Sequence, residues 1–443
     1  MKRLLKGARV VDPASGIDGV RDILIDGDRI ARVDTQIPLS ACADAVVVEL
    51  GPGTVVCPGF VDMHVHLREP GYEHKETVAT GSAAAIAGGF TAVACMPNTK
   101  PVNDSASVTR FILKQAEAAN LARVYPIGAV TIDSKGEQLA EIADLRDAGC
   151  VAISDDGKPV ATALIMRRAL EYAGMFGMPV IDHCEDRSLA GEGVAHESFV
   201  TGQLGLRGIP SAAEDVMVDR DIVLAAMTRS AVHIAHLSTA GALRSVREGK
   251  ARGTRVTCEV TPHHFTLIDA NLEAPVAYDT RLKMNPPLRE GLDRDALIEG
   301  LRDGSIDAIA TDHAPHHEDE KSVEFDRAPF GIVGLETAVS LGLDRLVHAG
   351  VVNLSRFVEL MSTNPARIMG VPGGRLAAGD PADLTILAPD LAVTVNAGTF
   401  ASKSRNTPFD GWKLRGGVAV TIVGGRVLFV NPAVTSVAGL ARS

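Results

Sequence analysis

His64 and His66 stand two residues apart at the end of an apolar run, Val55-Val56-Cys57-Pro58-Gly59-Phe60-Val61-Asp62-Met63. Side chains at i and i+2 of a β-strand share a face, so both imidazoles are expected to leave one buried strand together. Two neutral imidazoles on rigid backbone make a start on a zinc site. Taken alone, His-x-His fits a solvated turn equally well. Arg68 is expected to continue the same face one pleat further. A guanidinium beside a metal suits an anionic substrate, because its planar fork pairs with a carboxylate.

These residues need an element that holds them still. From about 58 to 365 the chain repeats apolar strand, loop and helix. The strands expected are Val61–Val65, Thr91–Cys95, Val124–Gly128, Val151–Ile153, Val180–Ile181, Val232–Ala235, Arg255–Val260 and Ala308–Ala310. Helical patterns such as Val108–Ala119, Leu139–Ala148, Thr162–Phe176 and Ala212–Thr228 lie between them. Eight such alternations predict an α/β fold, a (β/α)8 TIM-type barrel. Residues 1–57 and 366–443 are instead turn-rich and β-patterned, with hairpin signals at Asp26-Gly27-Asp28 and Gly424-Gly425. They are expected to pair into one small β-sandwich domain, leaving 58–365 as the barrel.

In such barrels the chemistry sits at the carboxyl ends of the strands. Strand one ends in His64, His66 and Arg68, and strand two in Met96-Pro97-Asn98. Strand four ends in Ser154-Asp155-Asp156-Gly157, and strand five in Asp182-His183-Cys184-Glu185. Strand six carries His233 and His236, and strand eight Thr311-Asp312-His313-Ala314-Pro315-His316. Four histidines and two aspartates therefore converge on one mouth. Chance placement of core or rim residues would have to supply metal-ligand types at five separate strand ends.

The composition agrees with a soluble enzyme acting on a small molecule. The chain has 443 residues and a formal net charge of -11, with 55 acidic and 44 basic residues. The charges are mixed rather than blocked, which argues against nucleic acid as a partner. Thr77–Thr99 carries no formal charge and is long enough to cross a bilayer. Its glycines, Pro97 and hydroxyl residues point instead to a helix at about Glu76–Ala87, a Gly-Gly turn and a buried strand at Phe90–Met96, so no membrane partner is expected. Six cysteines without a Cys-x-x-Cys pair read as reduced thiols in a cytoplasmic protein. Met1–Lys6 has no apolar stretch after it, so it is not expected to act as a signal peptide.

His64-Val65-His66-Leu67-Arg68-Glu69-Pro70-Gly71, together with Ala94-Cys95-Met96-Pro97-Asn98-Thr99, resembles the dihydroorotases of the amidohydrolase superfamily, and most closely the long bacterial class I type. The resemblance continues through Ile153–Gly157, Asp182–Glu185, His236-Leu237-Ser238, Thr261-Pro262-His263-His264, Asn285–Arg289 and Thr311–His316, and spans essentially the whole chain. It implies reversible hydrolysis of dihydroorotate to N-carbamoyl-L-aspartate, with ring closure as the useful direction in pyrimidine synthesis. It implies one or two zinc ions. His64 and His66 would hold one, with Asp312 as a further ligand and as the catalytic acid and base. His183 and His236 would hold the second. Arg68, Asn98 and His316 would bind the substrate carboxylate, with His66 also beside the substrate. Asn285 and the Phe330-Gly331 backbone would meet the ring or carbamoyl end.

One departure stands at strand four, where many superfamily members bridge the metals with a carboxylated lysine. Here the resemblance places the bridge at Asp156, with Asp155 as a supporting acid. Lys158 is the only nearby lysine and lies beyond Gly157. His74, His196, His317 and His348 read as surface or loop residues, and His233 as core or support. His263 and His264 fit either support or neither, and the cysteines read as small core residues. The polar loop from 316 to 330 is long enough for a mobile lid.

The sequence leaves two rival readings. A hydantoinase or allantoinase would share the metal ligands, but Arg68 with Asn98 suits a ring that bears a carboxylate. A non-catalytic dihydroorotase-like subunit that scaffolds aspartate transcarbamoylase should have lost ligands, and these are all present. The expected partners are the small-molecule substrate and a homo-oligomer, with an aspartate transcarbamoylase complex left open.

Overall fold

A computed structural model describes residues 2–42, 44–273, 275–437 and 439–440. Its strands in chain order are β1 (Lys2–Asp12), β2 (Ile17–Asp26), β3 (Arg29–Asp34), β4 (Val46–Glu49), β5 (Val55–Pro58), β6 (Phe60–Val65), β7 (Phe90–Cys95), β8 (Arg123–Gly128) and β9 (Ala152–Ile153). They continue with β10 (Val180–Asp182), β11 (Ala195–His196), β12 (Gly208–Ile209), β13 (Val232–Ile234), β14 (Val256–Val260), β15 (Ala308–Ile309), β16 (Leu384–Thr394), β17 (Lys413–Val423) and β18 (Arg426–Val430).

All eight expected barrel strands are present. They form one parallel sheet in the order β15-β14-β13-β10-β9-β8-β7-β6. Its two ends meet just past β15, through a parallel bridge between Val65 and His313 and a bond from His66 N–H to His313 O at 2.9 Å. The closure therefore falls at the chemical end of the barrel and joins strand one to strand eight directly. The uncharged stretch resolves into a helix, Val78–Ala87, and β7. Thr77 caps that helix, and its side chain accepts from Thr80 N–H. Among the described residues no helix is long and apolar enough to cross a membrane.

The chain ends build the β-rich unit as one continuous sheet, ordered β18-β17-β16-β5-β1-β2-β3, with β4 on β1. Buried aliphatics from both halves share one core, among them Val10, Ile23, Ile386, Val420 and Ile422. Strand β5 is a feature the sequence reading missed. Hydropathy cannot separate it from β6, because every residue of both strands is buried. The break comes from Pro58, which lacks an N–H, and Gly59, whose N–H bonds Asp383 O at 3.0 Å. A Cβ at Gly59 would lie 2.2 Å from Thr91 Oγ1, so only glycine lets the chain pass from sheet to barrel here. All six cysteines are free and buried.

Candidate metal centre

Six buried side chains meet inside the barrel mouth. His64 is the penultimate residue of β6 and His66 lies one residue past it, while Asp156, His183, His236 and Asp312 follow β9, β10, β13 and β15. His64 Nε2 lies 3.4 Å from both Asp156 Oδ1 and Asp312 Oδ1. His66 Nε2 lies 2.9 Å from Asp312 Oδ1 and 3.5 Å from Asp156 Oδ2. His236 Nε2 is 3.5 Å from Asp156 Oδ1 and 2.8 Å from His183 Nδ1. Among these six side chains, two sets of donor atoms are close enough to share an ion: His64, His66 and Asp312, and His64, Asp156 and His236.

The far nitrogens explain why these atoms point inward. His64 Nδ1 meets Glu259 Oε1 at 2.7 Å, and His66 Nδ1 meets Asn98 Oδ1 at 2.9 Å. Both partners are acceptors, so each Nδ1 donates outward and each Nε2 is left facing the carboxylates, where it could offer a lone pair to a cation. His64 Nε2 and Asp156 Oδ1 are buried and have no hydrogen-bond partner. Lone pairs facing carboxylates in a buried space require positive charge between them. The same demand sets the titration. Burial opposes charge on His64, but Asp156 and Asp312 outweigh it and hold the imidazole well above its ordinary range. Burial likewise opposes ionisation of Asp156 and Asp312, and the histidines, His64 foremost, hold both below the usual carboxylate range. A mixed nitrogen and oxygen donor set braced from behind by a carboxylate and an amide fits a divalent transition metal.

Beside this centre lies a cavity of about 310 Å³, lined by Arg68, Asn98, Asn285, His316, Phe330 and Gly331 as well as by the inward-facing ligands. Larger clefts, such as one of about 450 Å³ bounded by Ala83, Glu336 and Phe429, lie elsewhere and contain none of these ligands. Arg68 Nε donates to Pro315 O at 3.2 Å. Asn285 Nδ2 donates to Glu185 Oε2 at 2.9 Å, and its Oδ1 is buried without a partner. His316 Nε2 donates to Phe330 O at 2.8 Å. Burial together with Arg68, Lys75 and Lys321 holds the His316 imidazole far below its ordinary range, so it is neutral. Arg68, His236 and Asp312 adopt left-handed φ values of 63°, 31° and 45°. Non-glycine residues rarely do so, and such conformations gather where function requires them.

Residues 53–242 match the family described as dihydro-orotase-like. A dihydroorotase from Pelotomaculum thermopropionicum is 56% identical over 97% of this chain and 98% of its own length. One from Geobacter metallireducens is 52% identical over 97% and 100%. This chain belongs to the dihydroorotase family. The L-hydantoinase (dihydropyrimidinase) of Arthrobacter aurescens superposes with a TM-score of 0.85 at 24% identity, covering 96% of each chain, and shares the fold.

Several family residues arrive by routes the sequence does not disclose. The pleat argument does not account for Arg68, because β6 ends at Val65 and a left-handed turn brings Arg68 to the cavity. Asn98 holds His66 as well as lining the cavity. Asp155 turns away, accepting from Thr131 N–H at 3.0 Å, and Lys158 Nζ donates to Ser134 O at 3.2 Å. His264 donates to Pro286 O at 2.9 Å and so braces the segment carrying Asn285. His196 is not on the surface: it is buried against Arg289 and Ile209 O. Glu259 was missed altogether. It holds His64 through one oxygen and His233 Nε2, at 3.2 Å, through the other. Its one signal was a lone acid in the apolar run Val256–Val260.

Proposed function

We propose that the chain is a zinc-dependent dihydroorotase, interconverting (S)-dihydroorotate and N-carbamoyl-L-aspartate, with ring closure as its working direction in pyrimidine synthesis. The observation that carries this reading is a cavity lined by the Arg68 guanidinium that opens directly onto His66, His183, His236, Asp156 and Asp312. Arg68 offers its fork to the ring carboxylate, with Asn98 and His316 beside it. Asn285 and the Phe330-Gly331 backbone face the other end of the ring. His64, His66 and Asp312 would hold one ion, and His183 and His236 a second, with Asp156 between them. A bound zinc supplies Lewis acidity, which activates water near neutral pH and polarises the amide carbonyl.

Asp312 carries the proton. In hydrolysis it takes one from the attacking water as the new C–O bond forms. It returns that proton to the ring nitrogen as the C–N bond breaks. Ring closure runs the same steps backward. The reading places the protein in the cytoplasm, in keeping with its free thiols, as a homo-oligomer.

The test measures both directions together with the metal-to-protein ratio, on the unmodified chain and on Asp312→Asn. Chelation should abolish activity and zinc restore it. Asp312→Asn should retain most metal and lose about 10²-fold or more in kcat in both directions. Near-normal turnover in a metal-replete variant would show that Asp312 is a ligand only. Turnover of uncharged cyclic imides in preference to dihydroorotate would transfer the reading to a hydantoinase.

A further inference from the structure

The segment 401–406 leads from the β-rich half of the chain back over the barrel mouth. Ala401 and Ser402 N–H groups donate to Glu336, and Ser402 Oγ and Lys403 N–H donate to Glu76. At its end Asn406 is buried, 4% exposed. Its Oδ1 accepts from His316 N–H at 3.1 Å. Its Nδ2 donates to Ala314 O at 2.9 Å and to Gly331 O at 3.0 Å. Its own carbonyl accepts from Val333 N–H at 3.1 Å. The partners fix which way the amide faces, since two carbonyls can only face an N–H donor and an N–H only an acceptor.

Asn406 thus joins two stretches of backbone that nothing in the sequence places together. One carries His316 and the other carries Gly331, and both line the substrate cavity. The fit between them is close. A Cβ at Gly331 would lie 2.7 Å from Ala314 O and 2.8 Å from His316 Cδ2. A small slip of one stretch against the other would therefore move both groups.

We propose that Asn406 is a positioning residue for substrate binding, setting His316 against the Phe330-Gly331 backbone from outside the barrel. This rests on the reading of the cavity as a dihydroorotase site. Asn406 touches none of the reacting atoms. Its loss should fall on KM, because the displaced groups bind the substrate and do not move the proton. An ångström-scale displacement in a binding site is enough to cost about tenfold or more.

The experiment compares the unmodified holoenzyme with Asn406→Ala and Asn406→Asp, recording kcat and KM in both directions, metal content and melting temperature. Asn406→Ala should raise KM about tenfold or more while kcat stays within about threefold and the metal is retained. Asn406→Asp should be worse, because it sets a carboxylate oxygen against two carbonyls. In a His316→Ala background, Asn406→Ala should cost clearly less than it does alone, as coupled residues require. Unchanged KM in folded, metal-replete variants would overturn the proposal. So would an equal loss in kcat, or full additivity with His316→Ala. If Asn406→Ala melts below the assay temperature, Asn406→Ser takes its place, and unfolding of both would assign Asn406 to the fold alone. An unmodified chain without dihydroorotase activity would fail the functional reading itself, and this inference with it.

Discussion

In the β-rich sheet, Leu384, Ile386, Val420 and Ile422 are fully buried in a cluster of aliphatic side chains. At the barrel mouth, four imidazoles and two carboxylates are buried just as deeply, with His64 Nε2 and Asp156 Oδ1 lacking partners and three non-glycine residues in left-handed conformations. The sheet turns its corners with glycine, at Gly27, Gly424 and Gly425. The mouth turns its corners with Arg68, His236 and Asp312. Burial in the sheet lowers the free energy of the fold through apolar area. Burial at the mouth raises it until a cation arrives, and leaves the site primed for one. The two regions should therefore respond oppositely to mutation.

Ile422→Ala should give the largest effect and confine it to stability. Removing a fully buried isoleucine should destabilise the chain by about 2–5 kcal/mol in denaturant titration, while kcat and KM of the folded fraction stay unchanged. A matching loss of catalysis would break the separation between sheet and mouth.

Arg68→Met should do the reverse. A charge-assisted contact is worth about 1.5–3 kcal/mol, so kcat/KM on dihydroorotate should fall by about tenfold or more, with little change in melting temperature. An uncharged cyclic imide, if turned over at all, should be much less affected. Equal losses on both substrates would assign Arg68 to the fold.

Glu259→Gln sharpens the comparison further, because it alters the brace that His64 shares with His233 and leaves the inward-facing side chains themselves unchanged. The amide keeps the shape and one acceptor oxygen but removes the charge. Metal affinity, read by competition with a chelator, should drop about 10- to 100-fold. An unchanged affinity would show that the lone pair of His64 is set by packing alone.

The barrel was legible because its signal is local. Each strand is a short apolar run, each helix has its own period, and metal-ligand types recur where those runs end. Boundaries moved by a few residues, and β5 was hidden because two wholly buried strands abut with no polar residue between them. Of the site, the residue types and their order were legible. Asp156 came from resemblance, and the structure gives the physical distinction from its neighbour: Asp155 is engaged by Thr131, while Asp156 faces the histidines.

The sequence by itself determined the alternation of strand and helix and the chemical inventory at the strand ends, since both follow from periods of two and 3.6 residues that neighbours along the chain impose. Tertiary structure alone decided which groups brace that inventory. Glu259 lies 195 residues from His64, and Asn406 lies 90 from His316 and 75 from Gly331. Such pairs exist only once barrel closure and the returning C-terminal segment bring them within hydrogen-bonding reach, and no local pattern encodes that distance.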